Sequence, residues 1–385
     1  MNVVTALAAV GVLISLGYYA AASVAAMRFW LRSVSPVPPL PKIAPRVAVL
    51  KPLHGLSEHL LDNLTSFLEL DYPRTEYLFG VADYEDRAID VPLALKTQYK
   101  FCNATVVVGE EPGAENLKIA KLIRMAKRAP RAEILSFTDA DIAVEHDHLR
   151  RVVGELAANE RTGIVTCVYR ARPAGGFAAR LEALSINTDF APLVMFSEAI
   201  EPIRYALGAA IAIKREALEA IGGFQALKDK LADDYFLGRL VTSHGYEVKL
   251  SSSIVSTVCE HRSFADFWTH QLRWARTYRT ARKASLATIL LQGPFWAIVF
   301  LLASHFSPVS IAVLAAVLFA RIGMSALLTW KVLGVPEMRR DLLLVPLKDL
   351  IMTAIWFASL LSNRVEWGGR KLVVTADGTM REANG

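Results

Sequence analysis

The sequence predicts an α/β protein built on a parallel sheet of the nucleotide-binding type and carried by membrane segments. Three observations predict it. Short apolar runs rich in strand formers alternate with helical spacings over roughly a hundred residues. The central run, Glu133 to Thr138, stops at two carboxylates one residue apart, Asp139 and Asp141. Uncharged stretches long enough to cross a bilayer flank the whole. Open α/β sheets place their ligands where parallel strands end. Alternate residues of an extended segment face the same way, so Asp139 and Asp141 can meet one ligand together. Clustered carboxylates repel unless a positive charge lies between them, and a divalent cation holding a diphosphate supplies one. Alone, the pair equally suits a solvated turn in which Asp139 caps the next helix.

Composition narrows the class. Lys and Arg outnumber Asp and Glu by 43 to 37, a net charge of +6 over 385 residues. That excess is too dilute for a nucleic-acid binder, and no dense basic tract with interleaved aromatics occurs. A hydrophobic content of 53% is high for a soluble enzyme and directs attention to membrane spans. Cys102, Cys167 and Cys259 are far apart and form no C-x-x-C pair. They suit neither a zinc site nor a disulfide framework, and they fit a reducing cytosolic face.

In chain order, Val3 to Met27 holds no charged residue, enough to cross ~30 Å of hydrocarbon as a helix. Its length, with no basic residue before it, argues for an anchor over a cleaved signal peptide. Arg28 and Arg32 follow, so the domain after them is expected on the cytoplasmic side. Pro36, Pro38, Pro39, Pro41 and Pro45 make a stiff spacer. Arg46 to Lys51 reads as the first buried strand, Leu60 to Leu70 as helix, and Glu76 to Ala82 as a strand ending at Asp83. Thr105 to Val108 is a third strand and Ile119 to Ala129 a helix before the central run. Beyond it, Leu149 to Ala158 and Phe177 to Phe196 read as helices, Gly163 to Tyr169 and Tyr205 to Ile213 as strands. Arg215 to Ala220 is helical and stops at Gly222-Gly223. Asp233 and Asp234 open another helix, whose dipole favours anions in the first turn. Tyr246 to Ser251 is strand-like, and Phe264 to Lys283 forms a basic amphipathic helix.

The remainder is apolar. Leu286 to Phe306 and Val309 to Trp330 each lack acids and are long enough to span; Arg321 in the second must face a helix bundle or snorkel. Leu342 to Leu361 is interrupted by Pro346, Lys348 and Asp349, so it either spans or lies in the interface. The basic tail with Arg364, Arg370 and Lys371 favours the interface and a cytoplasmic C-terminus. The expected organisation is an anchor at 1–32, a Pro-rich linker at 33–45, a cytosolic domain at 46–284, membrane segments at 285–363 and a tail at 364–385.

Asp83, Asp139-x-Asp141, Asp234 between an acid and Tyr235, and Arg273-Trp274 on the basic helix follow one another in an order that resembles the ceramide glucosyltransferase family. These are membrane-bound, inverting glycosyltransferases of the GT-A (Rossmann-like) fold. The match runs from Lys51-Pro52 through Trp274, and the single N-terminal span with two to three C-terminal membrane or interfacial helices fits it as well. Within the family the chain looks similar to bacterial glycosyltransferases associated with hopanoid biosynthesis.

The resemblance implies roles. Asp83 would take the uracil or ribose end of a UDP-sugar, with Lys51, Lys118, Asp139 and His270 also on the nucleotide side. Asp139 and Asp141 would meet Mg2+ or Mn2+. Asp234 would be the general base, with Asp233 the alternative, since the sequence does not separate them. Arg273 would stabilise the departing diphosphate through bidentate bonds, and Trp274 would pack at the acceptor entrance. The chain departs from the pattern at His270, where the family has Gln or Arg, and at Leu117 of Asn116-Leu117-Lys118, where it has Pro. Glu260-His261 offers a further metal ligand. The implied reaction moves one glucose or N-acetylglucosamine onto a ceramide or a bacteriohopanetetrol-type hopanoid, at the cytoplasmic face of the inner membrane. Processive polysaccharide synthesis needs more spans than the chain offers. A non-catalytic membrane scaffold would have no need of the acids.

Overall fold

A computed structural model of the chain describes residues 2–100, 102–260, 263–367, 369–375 and 377–382. It contains two compact units. The sheet unit is Ser33–Tyr169 with Glu201–Val258; the helical unit is Met1–Arg32, Arg170–Ile200 and Cys259–Gly385.

Strands β1 (Val47–Pro52), β2 (Thr75–Val81), β3 (Ala104–Val108) and β4 (Ile134–Thr138) run parallel in the order β3-β2-β1-β4. Parallel pairing requires a crossover between strands, here the helices Leu60–Leu68, Asp90–Gln98 and Leu117–Arg128. Every residue of β1 and β4 is buried, as expected for strands covered on both faces. Their shared direction has a consequence for function. The exit loops after β1, β2 and β4, which carry Gly55, Asp83 and Asp139, lie along one carboxyl edge of the sheet.

The parallel half matches the sequence reading, and beyond it the sheet continues antiparallel. Four further strands, β5 (Ile142–Ala143), β6 (Thr162–Pro173), β7 (Ala210–Lys214) and β8 (Glu247–Cys259), extend it to the order β3-β2-β1-β4-β7-β6-β8-β5. The pairs β4–β7, β6–β7 and β5–β8 are antiparallel. The Ala-Ile-Ala-Ile run of β7 is buried throughout, and such a run reads the same whichever way it points. Burial patterning reveals a strand, not its direction.

In the helical unit, Val3–Ser33, Pro308–Val332 and Asp341–Ser359 are long and apolar enough to cross a membrane. The expected continuous span from Leu286 to Phe306 is instead two pieces, Lys283–Leu291 and Gly293–Ala303, bent by 58°. Pro294 explains the break, because it has no N–H to extend the preceding turn and is tolerated only in the first turn of a new helix. The interruptions expected in the last apolar stretch do not break it. Pro346 sits in the first turn of Val345–Ser359, where its missing N–H costs nothing, and Lys348 and Asp349 pair with each other at 2.5 Å inside the unit.

The basic helix forms as Phe264–Ala281, started by a capping box between Ser263 and Asp266. Two of its arginines are committed to protein: Arg276 donates to the Arg364 carbonyl at 2.5 Å and Arg279 to the Ser362 carbonyl at 3.0 Å. The tail they hold is an antiparallel sheet of β9 (Arg364–Trp367), β10 (Arg370–Val374) and β11 (Met380–Glu382).

Gly238 is where the sheet unit tolerates no side chain. A Cβ there would lie 2.4 Å from the Tyr205 Cα and 2.7 Å from the Ala206 nitrogen, backbone atoms that cannot rotate away. Its helix, Asp233–Ser243, carries both acids of the expected base pair. Gly238→Ala should therefore cost about 1–3 kcal/mol through overpacking. The check is a thermal melt of the detergent-solubilised protein, which should show a midpoint lower by several degrees.

Candidate active site

The central acids are set by β4 and by the turn that follows it. Asp139 takes its position through its backbone N–H, which donates to the Ala209 carbonyl at 3.4 Å. Its carboxylate accepts from the Lys118 ammonium at 2.6 Å while remaining 42% exposed. Asp141 is exposed as a residue, but its Oδ2 accepts a 2.7 Å bond from the Thr257 hydroxyl on β8. Desolvation at that contact, followed by the charge of Asp139, pushes its carboxyl above the usual range; exposure to water keeps the effect modest.

Lys51 supports this turn from beneath. It is fully buried, and its Nζ donates to the Thr138 hydroxyl at 2.9 Å, the Asp139 carbonyl at 2.7 Å and the Ile142 carbonyl at 3.2 Å. Three acceptors match the three N–H bonds of an ammonium. Burial pulls its pKa down to about 7, against the opposing pull of Asp141 and Asp139. Expected at the nucleotide, Lys51 is saturated by protein acceptors that bracket Asp139 and Asp141, so what it does is fix their geometry.

The second pair of acids opens the helix Asp233–Ser243. Asp233 is buried, 3.7 Å from the Lys118 ammonium and 3.5 Å from the Asn116 amide, so Lys118 bridges the two acidic pairs. Asn116 also caps the helix that carries Lys118, accepting from the Ile119 N–H at 3.1 Å. Burial alone would lower the Lys118 pKa, yet Asp139 and Asp233 outweigh it and hold the ammonium charged.

Asp234 is only partly buried and is aimed by the backbone. Its Oδ2 accepts from the Gly208 N–H and its Oδ1 from the Tyr235 N–H, each at 2.7 Å. Desolvation and then the neighbouring Asp233 raise its pKa to about 6, which Lys118 and the two N–H donors partly offset. A Cβ at position 208 would come within 3.1 Å of that Oδ2, so glycine leaves the room the carboxylate occupies. Thr166 secures the loop, accepting from the Leu207 N–H at 2.8 Å.

Asp83 stands at the end of β2 on the same carboxyl edge and is exposed. Its Oδ1 accepts from the Glu85 and Asp86 N–H groups at 2.8 and 3.0 Å, a closed Asx turn. Asp86 in turn accepts from the Gly55 N–H at 3.0 Å and joins the exit loops of β1 and β2.

The structure thus gathers Lys51, Lys118, Asp139, Asp141, Asp233 and Asp234 in the sheet unit. His270, Arg273 and Trp274 belong to the helical unit, on Phe264–Ala281. There His270 meets the buried Glu182 at 3.0 Å through Nδ1, and the Gln271 amide reaches both Glu182 oxygens at 2.9 Å. Trp274 packs against His270 and Phe190, with ring centroids 4.8 and 6.4 Å away; Arg273 is partly buried. His261 lies outside the described residues. Thr257, Gly208 and Asp86 escaped the sequence reading. Only Thr257 carried a signal, the period-2 alternation of β8 continuing past Ser251 to Cys259.

Asp139 and Asp141 suit a hard divalent cation as far as they go. They offer oxygen ligands only, and four carboxylates face two ammoniums in the cluster, an excess of negative charge that such an ion would offset. Among the described residues no group of three or more His, Cys, Asp or Glu side chains is placed to hold a metal. Mg2+ and Mn2+ sites at diphosphates characteristically take one or two carboxylates and complete their shell from phosphate and water.

Comparison with known proteins gives the family and the fold. The model of glycosyl transferase family 21 matches residues 7–380. The chain belongs to this family. Ceramide glucosyltransferase 3 of Caenorhabditis elegans is 26% identical over 250 residues, 65% of this chain and 53% of that protein. Ceramide glucosyltransferase 1 of the same organism is 28% identical over 219 residues, 57% and 46% of the respective chains. The chain therefore spans about half the length of these curated relatives. The fold is shared with a mannosyltransferase of Pyrobaculum calidifontis solved with GDP-Man and Mn2+, at a TM-score of 0.54 and 20% identity over 92% of this chain and 99% of that one.

Two outcomes follow from the electrostatics. A carboxyl whose folded pKa stands at about 6 binds protons more tightly than in the unfolded chain, so its contribution to stability is lost as pH rises from about 4 through 6. Asp234→Asn removes that cost and should raise the melting midpoint at pH 7.5 by the equivalent of about 1–2 kcal/mol, with no gain at pH 4. Lys51→Met leaves the acceptors around the Asp139–Asp141 turn unpaired and should lower stability by about 2–4 kcal/mol, read by the same melts.

Proposed function

We propose that the protein transfers one hexose from a UDP-sugar to a hydroxyl of a membrane lipid, with inversion at the anomeric carbon. The observation that carries this reading is Asp234. It is a carboxylate aimed by two backbone N–H groups, poised near neutral pH, and coupled through Asp233 and Lys118 to the Asp139-x-Asp141 pair. A base needs a pKa close to the working pH, and Asp234 has it. Asp233 is more deeply buried and engaged with Lys118 and Asn116, which favours Asp234 as the base.

In this reading the acceptor hydroxyl gives its proton to Asp234 as its oxygen bonds to the anomeric carbon. The bond from that carbon to the diphosphate breaks on the opposite face, and UDP leaves with the electron pair. One displacement inverts the centre and requires no covalent enzyme intermediate. Asp139 and Asp141 would hold Mg2+ or Mn2+, which when bound neutralises the leaving diphosphate. The Mn2+ in the mannosyltransferase structure supports a divalent ion. Lys118 orients Asp139 and Asp233 through its ion pairs, Asp83 would serve the uridine end, and Arg273 the diphosphate.

A lipid acceptor is supported by the ceramide glucosyltransferases and by the helices long enough to cross a bilayer. The sugar is glucose or N-acetylglucosamine, and the acceptor a ceramide or a bacteriohopanetetrol-type hopanoid. Arg28 and Arg32, just beyond the first apolar run, support a sheet unit on the cytoplasmic side of the inner membrane. One observation favours a second reading, a processive polysaccharide synthase. A poly-beta-1,6-N-acetyl-D-glucosamine synthase of Staphylococcus epidermidis is 19% identical over 232 residues.

Membranes containing the protein, incubated with labelled UDP-glucose or UDP-N-acetylglucosamine, test the proposal. Wild type should yield a lipid carrying a single sugar, and EDTA should abolish the label. Asp234→Asn should lower turnover by about 10²–10⁴-fold, the range for loss of a general base. Wild-type kcat/KM should fall tenfold per pH unit below about 6. Full labelling by Asp234→Asn and Asp141→Ala would refute the assigned chemistry, and products with several sugars would establish the processive reading.

A further inference from the structure

The helical unit holds a cluster of four charges, three of them buried, that the reaction described so far does not use. Arg321 lies in Pro308–Ala326, Lys348 and Asp349 in Val345–Ser359, and Asp189 in the turn Ile186–Phe190. The Arg321 Nε and a terminal N–H grip the two Asp349 oxygens at 2.8 and 2.9 Å. Arg321 also donates to the Thr188 carbonyl at 2.9 Å and to Asp189 Oδ1, while Lys348 donates to Asp189 Oδ2 at 2.6 Å. Two cations and two carboxylates make the cluster neutral.

A fold does not need such a cluster. Replacing buried ion pairs by apolar residues of similar volume is commonly neutral or stabilising, and ionisable groups within membrane segments are functional by default. Exposure shows where the function lies. The Arg321, Lys348 and Asp349 side chains are at most 4% exposed, whereas Asp189 is 30% exposed. The backbone around Asp189 is also unusual. Ile186–Phe190 is a π-helical turn, a distortion that recurs at functional sites, and Asn187 clamps it with paired 2.8 Å bonds to the Ala171 N–H and carbonyl. The next residue, Phe190, packs on Trp274.

We propose that Asp189 recognises the acceptor: its carboxylate, held by Arg321 and Lys348, accepts a hydrogen bond from a hydroxyl or amide N–H of an uncharged lipid headgroup. A carboxylate offers about four lone-pair positions, of which the two cations occupy part. An anionic headgroup is repelled by the exposed carboxylate, and a cationic one gains little from an acid already neutralised twice. An uncharged hydrogen-bond donor fits both constraints. The inference rests on the lipid-acceptor reading and gives it a residue.

The test measures transfer by the full chain in nanodiscs, with a ceramide in one arm and bacteriohopanetetrol in the other. Asp189→Asn should raise the KM for the accepted lipid about tenfold or more, the loss expected for a hydrogen bond to a charged group, and change the UDP-sugar KM by less than twofold. Because that variant leaves the cluster with an extra positive charge, Asp189→Asn/Lys348→Met restores neutrality. The double variant should recover the melting midpoint and keep the high lipid KM. A wild-type lipid KM in either variant overturns the inference. Wild type that labels neither lipid overturns the acceptor reading itself, and this inference with it.

Discussion

The bridge formed by Lys118 is the interaction on which the site depends. Four carboxylates arrive from two distant stretches of chain, one pair from the end of β4 and one from the start of a helix almost a hundred residues later. Left alone they would repel, or take up protons until they could coexist. A single ammonium at 2.6 Å from Asp139 and 3.7 Å from Asp233 offsets part of that repulsion and ties the two pairs together. Asn116 serves the same end twice, capping the helix that delivers Lys118 and reaching the acid that Lys118 faces. The fold supplies the edge, and the lysine allows the acids to share it.

That arrangement separates the roles of adjacent acids. Asp233 and Asp234 are neighbours in sequence, yet one faces inward to Lys118 and the other is turned outward by the Gly208 and Tyr235 N–H groups. Desolvation raises the Asp234 pKa toward neutrality, and the neighbouring Asp233 adds to it. The arrangement costs stability above pH 6, a common feature of sites that trade stability for chemistry.

Much of this was legible in the sequence, and the reasons it was or was not are physical. The strand preceding Asp139 announced itself by composition and by its abrupt polar end, and the acids by their spacing. The antiparallel half of the sheet did not, because Ala210–Ile213 is buried on both faces and carries no directional pattern. Lys51 was expected at the nucleotide: sequence shows a lysine at the end of a strand, not the three acceptors that enclose it. Gly208 carried no signal at all, since a lone glycine reveals its purpose only when the atom it makes room for is known. In the apolar C-terminal part, residues that looked like breaks in a span, Lys348 and Asp349, turned out to be partners. A charge in a hydrophobic run interrupts a helix only when nothing waits to pair with it.

The two clusters differ in one respect that bears on what each can bind. In the sheet unit the acids outnumber the ammoniums, so the site retains an unmet demand for positive charge at its solvent-facing acids, Asp139 and Asp141. In the helical unit two cations and two acids balance, and the exposed member, Asp189, has its charge already answered. The first arrangement is completed by a cation with its phosphates. The second gains little from any ion and can still accept a hydrogen bond from a neutral group. A sugar nucleotide and an uncharged lipid, the two substrates proposed above, would make these two different demands, and the charge balance of each cluster, more than the identity of any one residue, supports that division.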